Sequence, residues 1–162
     1  MILGMSPYTF IHVVISLVGI GSGLIVLLGL LSSRRLAGWT VLFLLTTVAT
    51  CVTGFGFPFT QLLPSHIVGI ITLVACAVAI LALYMRRLAG AWRWIYVLGA
   101  MIALYLNVFV LVVQAFQKVP ALNALAPTQT EGPFKLTQLV VLGIFVLLAL
   151  VAAFRFRPEP SL

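Results

Sequence analysis

Residues 12–39 read HVVISLVGIGSGLIVLLGLLSSRRLAGW, and residues 66–92 read HIVGIITLVACAVAILALYMRRLAGAW. One unit occurs twice: a histidine, an apolar run, an arginine pair, Leu-Ala-Gly and a tryptophan. His12 and His66 are the two histidines of the chain. Each run between histidine and arginine pair is uncharged. At a helical rise of about 1.5 Å per residue, each is long enough to cross a hydrocarbon layer of about 30 Å. The second copy is about two residues shorter between histidine and arginine, about 3 Å along a helix.

The rest of the chain follows the same pattern. Of its 162 residues, 64% are hydrophobic and 7% charged, and the mean hydropathy is +1.29. Soluble domains carry about 25% charged residues. The expectation is an all-α, polytopic transmembrane bundle forming one membrane domain over 1–162. Five spans are expected, at about 7–31, 39–59, 65–85, 92–116 and 134–154. Ser6 suits an N-cap and Pro7 a first helical position. Two glycines and Pro58 suggest an unwound exit from the second span, and Pro64-Ser65 starts the third. Spans one-two and three-four form two hairpins in the same orientation, related by an axis along the membrane normal. Span five is unpaired. The segment 118–133 holds three of the eight prolines. It reads as an ordered cap, with a short interfacial helix at Ala121–Ala126. Cys51 and Cys76 lie inside apolar runs and read as small buried residues.

The net charge of +7 does not indicate nucleic acid, because the basic residues sit at the ends of apolar runs. There they are topology signals and contacts for anionic lipid heads. Arg34, Arg35, Arg86, Arg87, Arg93, Arg155 and Arg157 fall on one side if the spans alternate. Lys118 and Lys135 fall on the other. The positive-inside rule then places the N-terminus outside and the C-terminus in the cytoplasm. Met1–Tyr8 has no basic side chain and the run after it is too long for a signal h-region, so it is expected to remain as an anchor.

This orientation collects polar side chains in the outer half. His12 lies just inside the outer end of span one and His66 at the outer start of span three. Gln114 closes span four, Asn107 lies deeper in it, Gln138 starts span five, and Glu131 sits in the outer loop. Polar groups at membrane depth are costly and face the interior or a wet cavity. His12, Ser16, Gly19 and Gly23 share one helical stripe. That stripe is either a packing seam of small residues or room for a flat ligand below an imidazole. Equivalent histidines facing a common axis would ligate a haem b iron or a transition metal, helped by Gln or Glu. Other chemistries are excluded more firmly. No lysine lies in the interior of a span, there is no aspartate, and the glutamates are Glu131 and Glu159. Gly19-Ile20-Gly21-Ser22-Gly23 lies in mid-membrane and follows no strand, so it is not a phosphate loop.

Gln114-Ala115-Phe116-Gln117-Lys118-Val119-Pro120-Ala121-Leu122, followed by Ala126-Pro127-Thr128-Gln129 and Pro133-Phe134, resembles a signature of small bacterial multi-span inner-membrane proteins without assigned activity. The resemblance implies a multi-pass protein of the bacterial inner (plasma) membrane. The two-hairpin plan with histidines at one end is similar to cytochrome b561-type bundles. Those display four haem-ligating histidines, and this chain offers His12 and His66. The size and span number also resemble the tryptophan-rich sensory protein family, whose Trp-Pro-Pro pattern is absent.

Three readings follow. The first is a non-enzymatic small-ligand-binding or transport-type protein. Its outward site lies between spans one, three and four and is lined by His12, Ser16, His66, Asn107, Gln114, Glu131 and Gln138. The second is a redox protein holding haem or a metal by His12 and His66. The third is an accessory or assembly subunit. The partners expected are the lipid bilayer and a second copy or another membrane protein.

Overall fold

A computed structural model of the protein describes residues 5–58, 61 and 64–157. Among the described residues six α-helices are formed: α1 (Pro7–Leu31), α2 (Ala37–Phe55), α3 (Pro64–Ile80), α4 (Trp92–Lys118), α5 (Pro120–Leu125) and α6 (Gly132–Arg155). A single π-turn, Leu81–Met85, continues α3. Five helices, all but α5, are long and apolar enough to cross a membrane, as expected of a polytopic bundle.

Local chemistry sets the ends. The Ser6 side chain accepts the Thr9 amide at 3.1 Å, and Pro7 opens α1. This satisfies one of the four orphan amides of a helix start. At the other end Ser33 turns left-handed, with φ 56°. The Arg34 amide then reaches back to Gly29 O at 2.8 Å and the Ser33 amide to Leu30 O at 3.2 Å. This is a Schellman closure with serine where glycine is usual. Gly29 is required beside it, because a Cβ there would lie 2.9 Å from Arg34 O. The second span ends earlier than expected, at Phe55 with Gly56 as its cap. The expected end at Phe59 lies outside the described residues. The short interfacial helix forms one residue earlier than expected, opened by Pro120.

The repeated pentapeptide does not fold the same way twice. In the first copy Arg34-Arg35-Leu36 leads into α2, which begins at Ala37. In the second, Arg87, Leu88 and Gly90 are all left-handed, at φ 47°, 59° and 54°, and α4 begins only at Trp92. Two sequence-level causes are visible. Ala91 is an extra residue in the second copy, and the π-turn upstream shifts the phase at which the chain arrives, with Arg86 N bonded to Leu81 O at 3.0 Å.

Helices α1, α2, α3 and α4 pack in a ring. Each touches its sequence neighbour, and α4 closes on α1. Thus α1 and α3 lie across a diagonal. Helix α6 packs on α4 and α1, and α5 on α4. Helix alternation gathers the seven arginines at one end and both histidines at the other.

The apolar core is not centred between those ends. It is built from Val26, Leu27 and Leu30 of α1, Phe43 and Leu44 of α2, Ala75–Leu83 positions of α3 and its π-turn, Tyr96–Leu104 positions of α4, and Ala152, Ala153 and Phe156 at the end of α6. Every one of these belongs to the arginine half of its helix. Small residues let α3 and α4 approach there, where a Cβ on Gly99 would lie 3.0 Å from Ala75 O. Close backbone approach of this kind is how membrane helices gain packing energy without a hydrophobic drive. Phe156, fully buried, plugs the end. Its ring lies 5.8 Å from that of Tyr96, and its carbonyl accepts from Arg93 Nη1 at 2.6 Å.

Candidate functional site

The histidine half is where polar side chains replace this core, and α2 is its hub. Thr46, Thr50, Thr53 and Phe57 share one stripe of α2 and its exit. The hydroxyl of Thr53 donates to Ala49 O at 2.7 Å. The same oxygen lies 2.8 Å from His12 Nδ1. A threonine has one proton to give, so His12 carries its own on Nδ1 and donates it to Thr53. The Nε2 lone pair is therefore left as the acceptor. Around the ring stand Phe57, edge-on at 5.1 Å, and Gly54, whose missing side chain leaves Cε1 3.7 Å from a Cβ position. Tyr8 donates its hydroxyl to Thr53 O at 2.6 Å and meets Phe57 edge-to-face at 5.0 Å. His12 thus sits, half-buried, among aromatic edges and hydroxyls brought together by the first turns of α1 and the last turn of α2.

His66 belongs to the other side of the same turn. It is 5% exposed and stacks on Phe55 at 5.4 Å, nearly parallel. Residues two apart on a helix are about 200° apart around it. Thr53 and Phe55 therefore present their partners on opposite faces of α2. The two imidazoles flank α2 and do not face each other across an open axis. The helices that meet around the two imidazoles are α1, α2 and α3.

The other expected site residues disperse. Ser16 Oγ donates to Val13 O at 2.8 Å, within its own helix. Asn107 Nδ2 donates to Thr47 Oγ1 at 3.1 Å. Thr47 is fully buried, so this bond ties α4 to α2 at the floor of the polar half. Gln114 is exposed. Glu131 turns into its own loop. It accepts from Thr128 Oγ1 at 2.7 Å, the Thr128 amide at 3.1 Å and the Thr130 amide at 3.0 Å. These bonds, that from the Thr128 hydroxyl first, hold its carboxyl below the usual range. Gln138 Nε2 donates to Phe109 O at 3.2 Å, joining α6 to α4. The loop itself folds along α4, where Gln129 Nε2 meets Val113 O at 2.9 Å and Asn123 Nδ2 meets Phe116 O at 3.2 Å.

The stripe below His12 is occupied. A Cβ on Gly23 would lie 2.6 Å from Leu104 Cδ1 and 2.8 Å from the Phe43 ring, and one on Gly19 would lie 3.2 Å from Thr46 Oγ1. These glycines receive side chains of α2 and α4, and no width for a porphyrin edge is left beside them. Cys51 and Cys76 are buried, unbridged thiols. Among the described residues, no three His, Cys, Asp or Glu side chains form a metal-binding group.

Sequence reasoning did not single out Tyr8, Thr47, Thr53, Phe55 and Phe57, which hold the polar half together. The available signal was the i, i+4, i+7 spacing of Thr46, Thr50 and Thr53 above Phe57, in line with the exit glycines.

Fold and site together define a polytopic helical membrane protein, sealed at its arginine end and polar at its histidine end. Among known proteins, no family model, no curated protein and no solved structure matches the chain.

Proposed function

We propose that this is a non-enzymatic membrane protein of the bacterial inner membrane that binds, and through binding transports or senses, a small amphipathic ligand at its histidine end. The N-terminus lies outside in this reading, so the site opens outward. The observation that carries it is the His12 pocket. An imidazole with a committed Nδ1 proton and an uncommitted Nε2 stands among Tyr8, Phe57 and Thr53, in the half of the bundle away from the main apolar core. Pockets for small molecules combine such aromatic walls with a few fixed polar groups. His66 stacks on Phe55, on the opposite face of α2, and lies outside this site.

The test is a thermal-shift screen of the purified protein against small amphipathic molecules, repeated on His12→Ala and Tyr8→Phe. Ligands that stabilise the natural protein and lose their effect in His12→Ala support the reading. If every stabilising compound acts equally on both variants, the site is elsewhere.

One observation favours a second reading. Donation of Nδ1–H to a fixed oxygen is how ligating histidines are oriented, with Nε2 toward a metal. A transition metal on His12 would give a metal stoichiometry, with or without an absorbance band, that disappears in His12→Ala and persists in Thr46→Ala. A colourless, metal-free and folded protein removes this reading and leaves the first.

A further inference from the structure

The arginine end draws like charges together. The Arg157 amide donates to Ser33 Oγ at 2.8 Å, which brings the chain after α6 onto the α1–α2 turn, beside Arg34 and Arg35. Arg93 fixes the same segment through Phe156 O, and the buried Phe156 ring anchors it. None of these ties involves a carboxylate. Arg34, Arg35, Arg155 and Arg157 are all exposed. Among the described residues the one acidic side chain is Glu131, which is at the opposite end and bonded within its own loop. Arg157 is thus brought to Arg34 and Arg35, with Arg155 two residues before it on the same segment, by bonds that do nothing to neutralise them. No described carboxylate faces them, so an anion arriving at this end would meet a surface of uncompensated positive charge.

The place of this cluster tells which anion. It sits at the mouth of a bundle whose helices are long enough to span a bilayer. Trp39, Trp92 and Trp94 stand at the same end, at the level where amphipathic rings meet headgroups. We propose that Arg34, Arg35, Arg155 and Arg157 form a docking site for the phosphates of anionic phospholipids. The Ser33–Arg157 and Arg93–Phe156 bonds hold its two halves in register. Arginine suits the task, because its planar fork pairs two-fold with phosphate oxygens and stays charged at every physiological pH. The site is separate from the histidine end and does not depend on the ligand proposed there.

Native mass spectrometry of the delipidated protein titrated with phosphatidylglycerol or phosphatidylcholine tests it. The natural protein should retain phosphatidylglycerol at least about tenfold better, since each basic residue near a headgroup surface adds several-fold to affinity. Arg34→Gln, Arg35→Gln and Arg157→Gln together should abolish that preference. Lys118→Gln with Lys135→Gln, at the opposite end, should leave it unchanged. Equal retention of the two lipids by the natural protein overturns the proposal, whatever the variants do. So does loss of the preference in the lysine variant. Displacement of the lipid by inorganic phosphate at matched concentration overturns it too, because the site would then be one for a soluble anion.

Discussion

At the residue scale, the bond between His12 and Thr53 decides the chemistry of the histidine end. Replacing Thr53 with valine keeps the shape and removes the acceptor. The cost to stability should be small, about 0.6 kcal/mol and at most about 1.7 kcal/mol, as for other side-chain bonds between membrane helices. The tautomer should respond far more. Nitrogen NMR of labelled His12 should show the proton on Nδ1 in the natural protein and a mixture of tautomers in Thr53→Val. Unchanged ring-nitrogen shifts would mean that Thr53 does not set the proton's place. His12 was visible in the sequence because an ionisable group inside an apolar run stands out. Thr53 was not, because a threonine in a membrane helix bonds its own backbone, and its place in the stripe with Thr46 and Thr50 does not say which side chain meets it. Ser16 shows the converse. It shares a stripe with His12, yet its hydroxyl is spent on Val13 O.

At the scale of elements, the helices were legible almost to the residue where capping chemistry is local. Ser6-Pro7 and Pro120 open α1 and α5 as those residues dictate. What the sequence could not carry is visible in the two Arg-Arg-Leu-Ala-Gly segments. Identical residues take different backbones because the preceding turn and the following alanine differ. The loop 118–133 shows another limit. Its proline and polar content announced an ordered cap, but which helix it lies on is a tertiary matter. Bonds to Val113 and Phe116 put it along α4. Its internal clasp is Glu131, and this gives a dependence on pH. The carboxyl titrates lower in the folded loop than in the unfolded chain. The clasp therefore contributes fully above the ordinary carboxylate value of about 4.3 and is lost as pH falls through the folded value. The hydrogen-exchange protection of the Thr128 and Thr130 amides, taken relative to their intrinsic exchange rates at each pH, should fall as the medium is acidified through that window, and Glu131→Gln should lack that protection at neutral pH as well. Equal protection of both forms at both pH values would show that the clasp does not hold the loop.

At the scale of the molecule, the five-span plan and the sorting of charge to two ends were readable from composition and periodicity alone, since lipid permits few alternatives. The arrangement of helices was not. A duplicated hairpin suggests two histidines about a common axis, but the ring order puts α2 between α1 and α3. Orientation in the membrane is the prediction that belongs here. Reporter fusions in the turn after Arg35 should read cytoplasmic, and fusions within 118–133 should read external. The same location for both would contradict the span count, and exchanged locations would reverse the orientation.

The plug formed by Phe156 also has a temporal meaning. Chain order is synthesis order, and the residue that completes the apolar core comes after the last span. Four helices must therefore wait, their arginine half unsealed, until the fifth has inserted. The core then acts as a check on completeness. A chain shortened to end before Phe156 retains every span and six of the seven arginines but should be cleared by membrane proteases much faster than one ending at Arg157. A pulse-chase comparison of the two lifetimes would reveal it, and equal lifetimes would show that the bundle closes without its final piece.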